Sequence, residues 1–164
     1  MNEEMISVGQ EETKEDDLND RFLTFYIEDA VYGIALSHVT EIISIQSVTH
    51  IPEVSSYVKG IINLRGKVVP VMDVRLKFGQ EEIPYTDKTC IIVVSVDDVQ
   101  IGLIVDGVSE VVTIYHSKMA SPPSTNGMTD RYLAAVAEMD ESVILVINFS
   151  KFFQADLDGI SISQ

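Results

Sequence analysis

The chain reads as all-β, assembled from two diverged copies of one small barrel-forming unit, and three observations predict this. Short apolar runs rich in Val and Ile recur from Arg21 onward. Turn-forming pairs separate them at Glu28-Asp29, Gly66-Lys67, Asp97-Asp98 and Asp140-Glu141. Short β-branched runs at close, regular spacing indicate a barrel or sandwich. The chain also matches itself in two blocks taken in the same order.

Taken in order, residues 1–20 hold eight acids and one base, a net −7, and read as a disordered acidic tail. Strands are expected at Leu23–Ile27, Val31–Leu36, Val58–Leu64, Val68–Val74, Ile91–Val96, Ile101–Val105, Val111–Ile114, Leu133–Met139 and Val143–Phe149. One segment, Ser37–Ser44, predicts a helix. Ser37 can cap it, and Val39, Ile42 and Ile43 form an apolar stripe at helical spacing. The stretch His116–Arg131 contains Pro122-Pro123 and Asn126-Gly127 and reads as a loop. Residues 156–164 form a second short tail.

At an offset of 69, the stretch from Tyr32 to Ile43 lies over Ile101 to Val112, with Gly33 on Gly102, Val39 on Val108 and Glu41 on Glu110. Beyond the His116–Arg131 loop the offset becomes 75, which puts Tyr57 on Tyr132, Val71 on Val146 and Phe78 on Phe153. The ordered region is therefore residues 21–155, with copies at roughly 21–88 and 89–155. A half of about 70 residues is marginal alone, so the two are expected to share an apolar interface with a groove beside it.

Composition excludes several functions. A net charge of −15 suits no phosphate backbone, which needs clustered Lys and Arg. No apolar run approaches the ~20 residues of a membrane-spanning helix, and no basic-then-apolar leader opens the chain. The lone Cys90 fits a reducing cytoplasm and reads as a small core residue. His38, His50 and His116 have no metal-ligand spacing. No nucleophile elbow, P-loop or dinucleotide motif is present. The expectation is no catalytic residue, no metal and no cofactor. Asp106-Gly107 reads as a turn or bulge rather than a catalytic aspartate.

Arg65 stands out. It precedes Gly66 at the turn between two predicted strands, and its counterpart in the second copy is Asp140. A position that is Arg in one copy and Asp in the other is not demanded by the fold. Recognition and a merely solvated turn charge are both open readings of it.

The same residues carry a resemblance. Lys59-Gly60-Ile61-Ile62-Asn63-Leu64-Arg65-Gly66, continuing through Val69-Pro70-Val71-Met72-Asp73-Val74-Arg75, resembles the signature stretch of the CheW family of chemotaxis coupling proteins. Asp106-Gly107-Val108-Ser109-Glu110-Val111 resembles that family's second block. The likeness runs from about Phe22 to Phe153. It implies two SH3-like, five-stranded barrels around a shared core, with short helices. It also implies a cytoplasmic adaptor that joins chemoreceptor tips to the regulatory domain of the histidine kinase CheA, held at the membrane array only through partners. Carried over by position, Val39, Glu41, Gly60 and Arg65 match receptor-coupling positions, with Val105 and Val108 lining the groove between barrels. Ile45, Val48 and Lys59 match the kinase-facing side. Gly60 also reads as a glycine needed for close backbone approach, and the three valines as core. A small-ligand-binding barrel and an enzyme with dispersed carboxylates are the competing classes.

Overall fold

A computed structural model describes residues 20–52, 54–123 and 129–154. Residues 1–19 and 156–164, expected as tails, and Asn126-Gly127, expected in a loop, lie outside the described residues. In the first half, β1 (Arg21–Ile27) and β2 (Ala30–Ala35) form a hairpin, and a 3-10 turn at Leu36–His38 leads into β3 (Val39–Ser44). β4 (Val58–Leu64) and β5 (Lys67–Asp73) make a second hairpin, followed by a one-turn helix at Val74–Lys77. The second half repeats this order. It comprises β6 (Cys90–Val96), β7 (Val99–Val105), β8 (Gly107–Thr113), the short β9 (Met119–Ala120), β10 (Leu133–Met139) and β11 (Ser142–Ile147), then a helix at 149–154.

The sheets do not follow the halves. One sheet runs β8-β1-β2-β11-β10-β9 and the other β3-β6-β7-β5-β4. Each half therefore gives its first hairpin to the sheet built on the other half's remaining strands. The break near residue 88 marks a repeat in sequence, while the sheets interleave across it. The register repeats as well. The parallel pair Val146↔Gly33 in one sheet matches Val71↔Gly102 in the other. A Cβ at Gly102 would sit 2.8 Å from Val71 Cγ1 and Ile91 Cγ2, and one at Gly33 would sit 3.1 Å from Ile144 Cγ2. The glycine shared by both copies lies where the exchanged strands pair, and a side chain there would crowd the strand beside it.

The exchange builds a central core from both halves. Leu23, Phe25, Ile34, Met72, Ile92 and Leu103 belong to one buried cluster that also takes in Phe78, Phe152 and Phe153. Each fully buried side chain of this size contributes about 1.5–3 kcal/mol. A smaller cluster fills each sheet's own interior, around Ile62, Val71 and Val93 in one and Phe22, Ala137 and Ile144 in the other. Where the copies meet, the buried Lys77 ammonium lies 4.5 Å from the Tyr57 ring, 5.0 Å from Tyr132 and 4.9 Å from Phe152. Tyr57 and Tyr132 are the equivalent residues of the two copies, so both copies supply walls to one aromatic enclosure.

Most predicted strands are present, and Ser37–Ser44 is the main correction. Only Leu36–His38 is helical, as one 3-10 turn without a side-chain cap, and Val39–Ser44 is strand β3. Its half-buried Val39, Glu41 and Ile43 alternate with exposed Thr40, Ile42 and Ser44. The apolar stripe fits both periods over so few residues. Four β-branched side chains and a free edge on β6 settle it as strand. Cys90 is half-buried, packs against the central core and donates to the Lys88 carbonyl at 3.2 Å. It begins β6.

Candidate functional site

The β4–β5 turn is the natural starting point. Leu64 pairs with Lys67, which leaves Arg65 and Gly66 as a two-residue loop, one position earlier than Gly66-Lys67. Both have positive φ, 51° at Arg65 and 85° at Gly66, the geometry that matches the twist of a tight hairpin. The Asn63 Oδ1 accepts from the Gly66 amide at 2.9 Å and fixes the turn. Asp140, the counterpart of Arg65, has φ 54°. The fold thus asks for the same left-handed backbone at this one position in both copies and leaves its side chain free.

Arg65 uses that freedom to reach β3. Its Nη2 donates to Glu41 Oε2 in an ion pair whose arginine side chain is 70% exposed. The carboxylate raises the guanidinium pKa further, so this charge is present at every physiological pH. The contact is possible because the five-stranded sheet curls: the chain leaving β3 crosses to β4, where Thr49 exchanges backbone hydrogen bonds with Ile61 at 2.8 and 2.9 Å. Edges β3 and β4 are therefore brought together.

Gly60 governs this closure. At φ 145° it occupies backbone space that L side chains rarely adopt, and a Cβ there would fall 1.9 Å from the Thr49 carbonyl oxygen. The same Cβ would lie 3.0 Å from Val48 Cγ1. Beside it, Lys59 pairs with Glu82, while Ile45 and Val48 pack half-buried onto the core of the five-stranded sheet. The structure thus gathers Val48, Lys59 and Gly60 around one backbone contact, and Glu41 with Arg65 around another.

The three valines sit differently. Val39, Val105 and Val108 all pack with the central core. Val105 is 1% exposed, so it shapes β7 rather than offering its side chain to solvent. Val39 and Val108 are half-buried on the edge strands β3 and β8.

One cluster was not anticipated. The Arg75 guanidinium is buried and donates from Nε to Asp106 Oδ1 at 2.9 Å and from Nη1 to Glu28 Oε1 at 3.1 Å and the Glu81 carbonyl at 3.4 Å. Asp106 Oδ2 also accepts from the Glu28 amide at 2.7 Å. One arginine thereby ties the β1–β2 turn, the β7–β8 corner and the linker between copies. Nearby, Tyr85 donates to the buried Asp73 carboxylate at 2.9 Å, and burial together with that contact raises the phenol pKa. A sequence signal existed: Arg75 and Asp106 fall on Ser150 and Ser37 in the other copy, so the two charges appear and vanish together. The turn at Asp106-Gly107 is thus an anchored corner.

The remaining reactive side chains are engaged or exposed. His38 stacks on Phe149 with centroids 3.7 Å apart and planes 8° apart, and burial lowers its pKa. His50 and His116 are exposed. Among the described residues, no three His, Cys, Asp or Glu side chains are placed to hold a metal ion, and no helix is long and apolar enough to cross a membrane.

Comparison with known proteins gives these surfaces a context. Residues 21–157 match the CheW-like domain family. The chain is 31% identical over 137 residues to the chemotaxis protein CheW of Bacillus subtilis, covering 83% of this chain and 88% of that one. It is 30% identical over 136 residues to CheW of Klebsiella aerogenes, covering 82% of each. The crystal structure of the scaffolding protein TtCheW from Thermoanaerobacter tengcongensis superposes with a TM-score of 0.75 at 32% identity, over 83% of this chain and 93% of that one. With this fold, this repeat and these relatives, the chain belongs to the CheW-like domain family and is a chemotaxis coupling scaffold.

Proposed function

We propose that the protein links chemoreceptor cytoplasmic tips to the regulatory domain of the histidine kinase CheA, in the cytoplasm and without catalysing a reaction. Residues 21–155 are the working unit, with tails on either side. The receptor surface is Glu41 and Arg65, with Val39, Gly60 and Val108 beside them and Val105 beneath. The kinase surface is Ile45, Val48 and Lys59. The observation that carries this reading is the exposed Glu41–Arg65 pair: a charge on a tight turn, aimed at an edge strand, where the other copy has Asp140 under the same backbone. A guanidinium so placed keeps donors free for a partner carboxylate or carbonyl.

The test is a binding assay with purified kinase regulatory domain and a receptor tip fragment. Arg65→Glu sets two carboxylates against each other at a solvated turn. Receptor binding is expected to fall by about tenfold or more, kinase binding to hold, and the thermal midpoint to stay close to that of the parent. If Arg65→Glu leaves receptor binding unchanged, or unfolds the chain, the site assignment is wrong.

A further inference from the structure

A second surface lies on the six-stranded sheet, where β2 and β11 begin their parallel pairing. A shallow groove of about 360 Å³ opens there, lined by Asp29, Ala30, Val31, Ser142, Val143 and Leu145. Val143 is 49% exposed. At its rim lies Asp29, a lining residue, with Asp140 and Glu141 directly before the lining Ser142 in the chain; all three are exposed, and none is in an ion pair among the described residues.

Comparison of the copies shows what is particular to this groove. The equivalent positions on the five-stranded sheet are Asp98, Val99 and Gln100 from the second copy with Lys67, Val68 and Pro70 from the first. There a lysine replaces Ser142, a glutamine replaces Val31 and a proline replaces Leu145. The parallel strands keep the same register in both places, so the fold does not require the apolar, cation-free version. That version leaves apolar surface in water and gathers like charges around it, two costs that a bound partner removes together.

We propose that this groove docks a segment of a partner protein that presents one or two apolar side chains flanked by Lys or Arg. The occupant binds through side chains, not by adding a strand. β2 is already paired on both sides, to β1 and β11, and β11 to β10 and β2, so no backbone edge is free. The groove belongs to the sheet opposite Glu41 and Arg65, and the inference does not rest on the receptor surface proposed above.

The probe is a fluorescein-labelled amphipathic peptide of Leu and Lys, with a Glu-for-Lys version as control. Binding to the full chain is followed by anisotropy at low and physiological salt, and located by amide NMR shifts. Saturable binding of the Lys peptide is expected, with shifts centred on Val31, Ser142, Val143 and Leu145. Val143→Asp should weaken it by about tenfold, while Val68→Asp, at the equivalent exposed valine, changes it little. Should Val143→Asp fail to fold, Glu141→Lys at the rim decides, with a several-fold loss expected. Shifts spread over the whole acidic surface, equal losses for both valine variants, or rim reversal without effect would each overturn the proposal. They would mean that the net charge alone attracts the peptide.

Discussion

Gly60 bears a tight constraint because two separate demands meet on its missing side chain. Its φ of 145° belongs to a region essentially reserved for glycine, and the Thr49 carbonyl fills the space a Cβ would need. Gly60→Ala is therefore expected to cost roughly 1–3 kcal/mol in backbone strain, with the clash adding to it as Thr49 is displaced. A fall in the urea midpoint at unchanged m-value checks this; an unshifted midpoint would show that the 48–49 segment yields freely. Val48 and Lys59, of the proposed kinase surface, flank the same contact, so weakened kinase binding in this variant would report that surface as moved. Arg65 is the converse case. Its left-handed backbone is shared with Asp140, so the fold tolerates either charge and the guanidinium is available for recognition.

Among the elements, the helix at 149–154 is held by rings: Phe149 on His38, and Phe152 and Phe153 edge-on to each other at 4.9 Å. The stack joins the last helix to the turn between β2 and β3, far apart in sequence. Burial lowers the His38 pKa, so the folded state disfavours the imidazolium. The unfolded chain takes up that proton near its ordinary pKa of about 6.5, and the folded chain only at lower pH. Stability linked to His38 is thus fully present above that value and is lost as pH falls below it. His38→Phe keeps a ring against Phe149 and removes the titration. Its thermal midpoint should decline less between pH 7 and 5 than that of the parent. Parallel declines in the two proteins would mean that other groups set the acid sensitivity.

For the whole molecule, the exchanged hairpins make the halves interdependent. Sheet β3-β6-β7-β5-β4 loses its two central neighbours if residues 89–155 are removed, and the other sheet loses β1 and β2 without residues 21–88. Neither half has a complete sheet or its share of the central core. Each expressed alone is expected to lack stable tertiary structure, while the two mixed should recover the parent's circular dichroism and near-native NMR shifts. A half that folds alone as a monomer with cooperative unfolding would contradict this. The full chain should unfold in one transition, because no sheet can open without taking strands from both copies.

The residues alone determined the all-β class, nearly every strand, the tight turns and the twofold repeat, because alternation and turn chemistry act over a few neighbours. Arg65 was visible the same way, through its contrast with Asp140. Only the tertiary structure decided that Val39–Ser44 is a strand, since six residues carry both periods and the free edge of β6 selects one. It alone decided that the copies trade hairpins, for the parallel pairs Val71↔Gly102 and Val146↔Gly33 join strands some 30 and 113 positions apart. For the Arg75–Asp106–Glu28 tie the sequence carried only the contrast of Arg75 and Asp106 with two serines, and not the contact itself. No local rule brings a helix residue, a strand corner and a distant turn to one guanidinium; the folded chain does so because the exchange places all three at the seam between its copies.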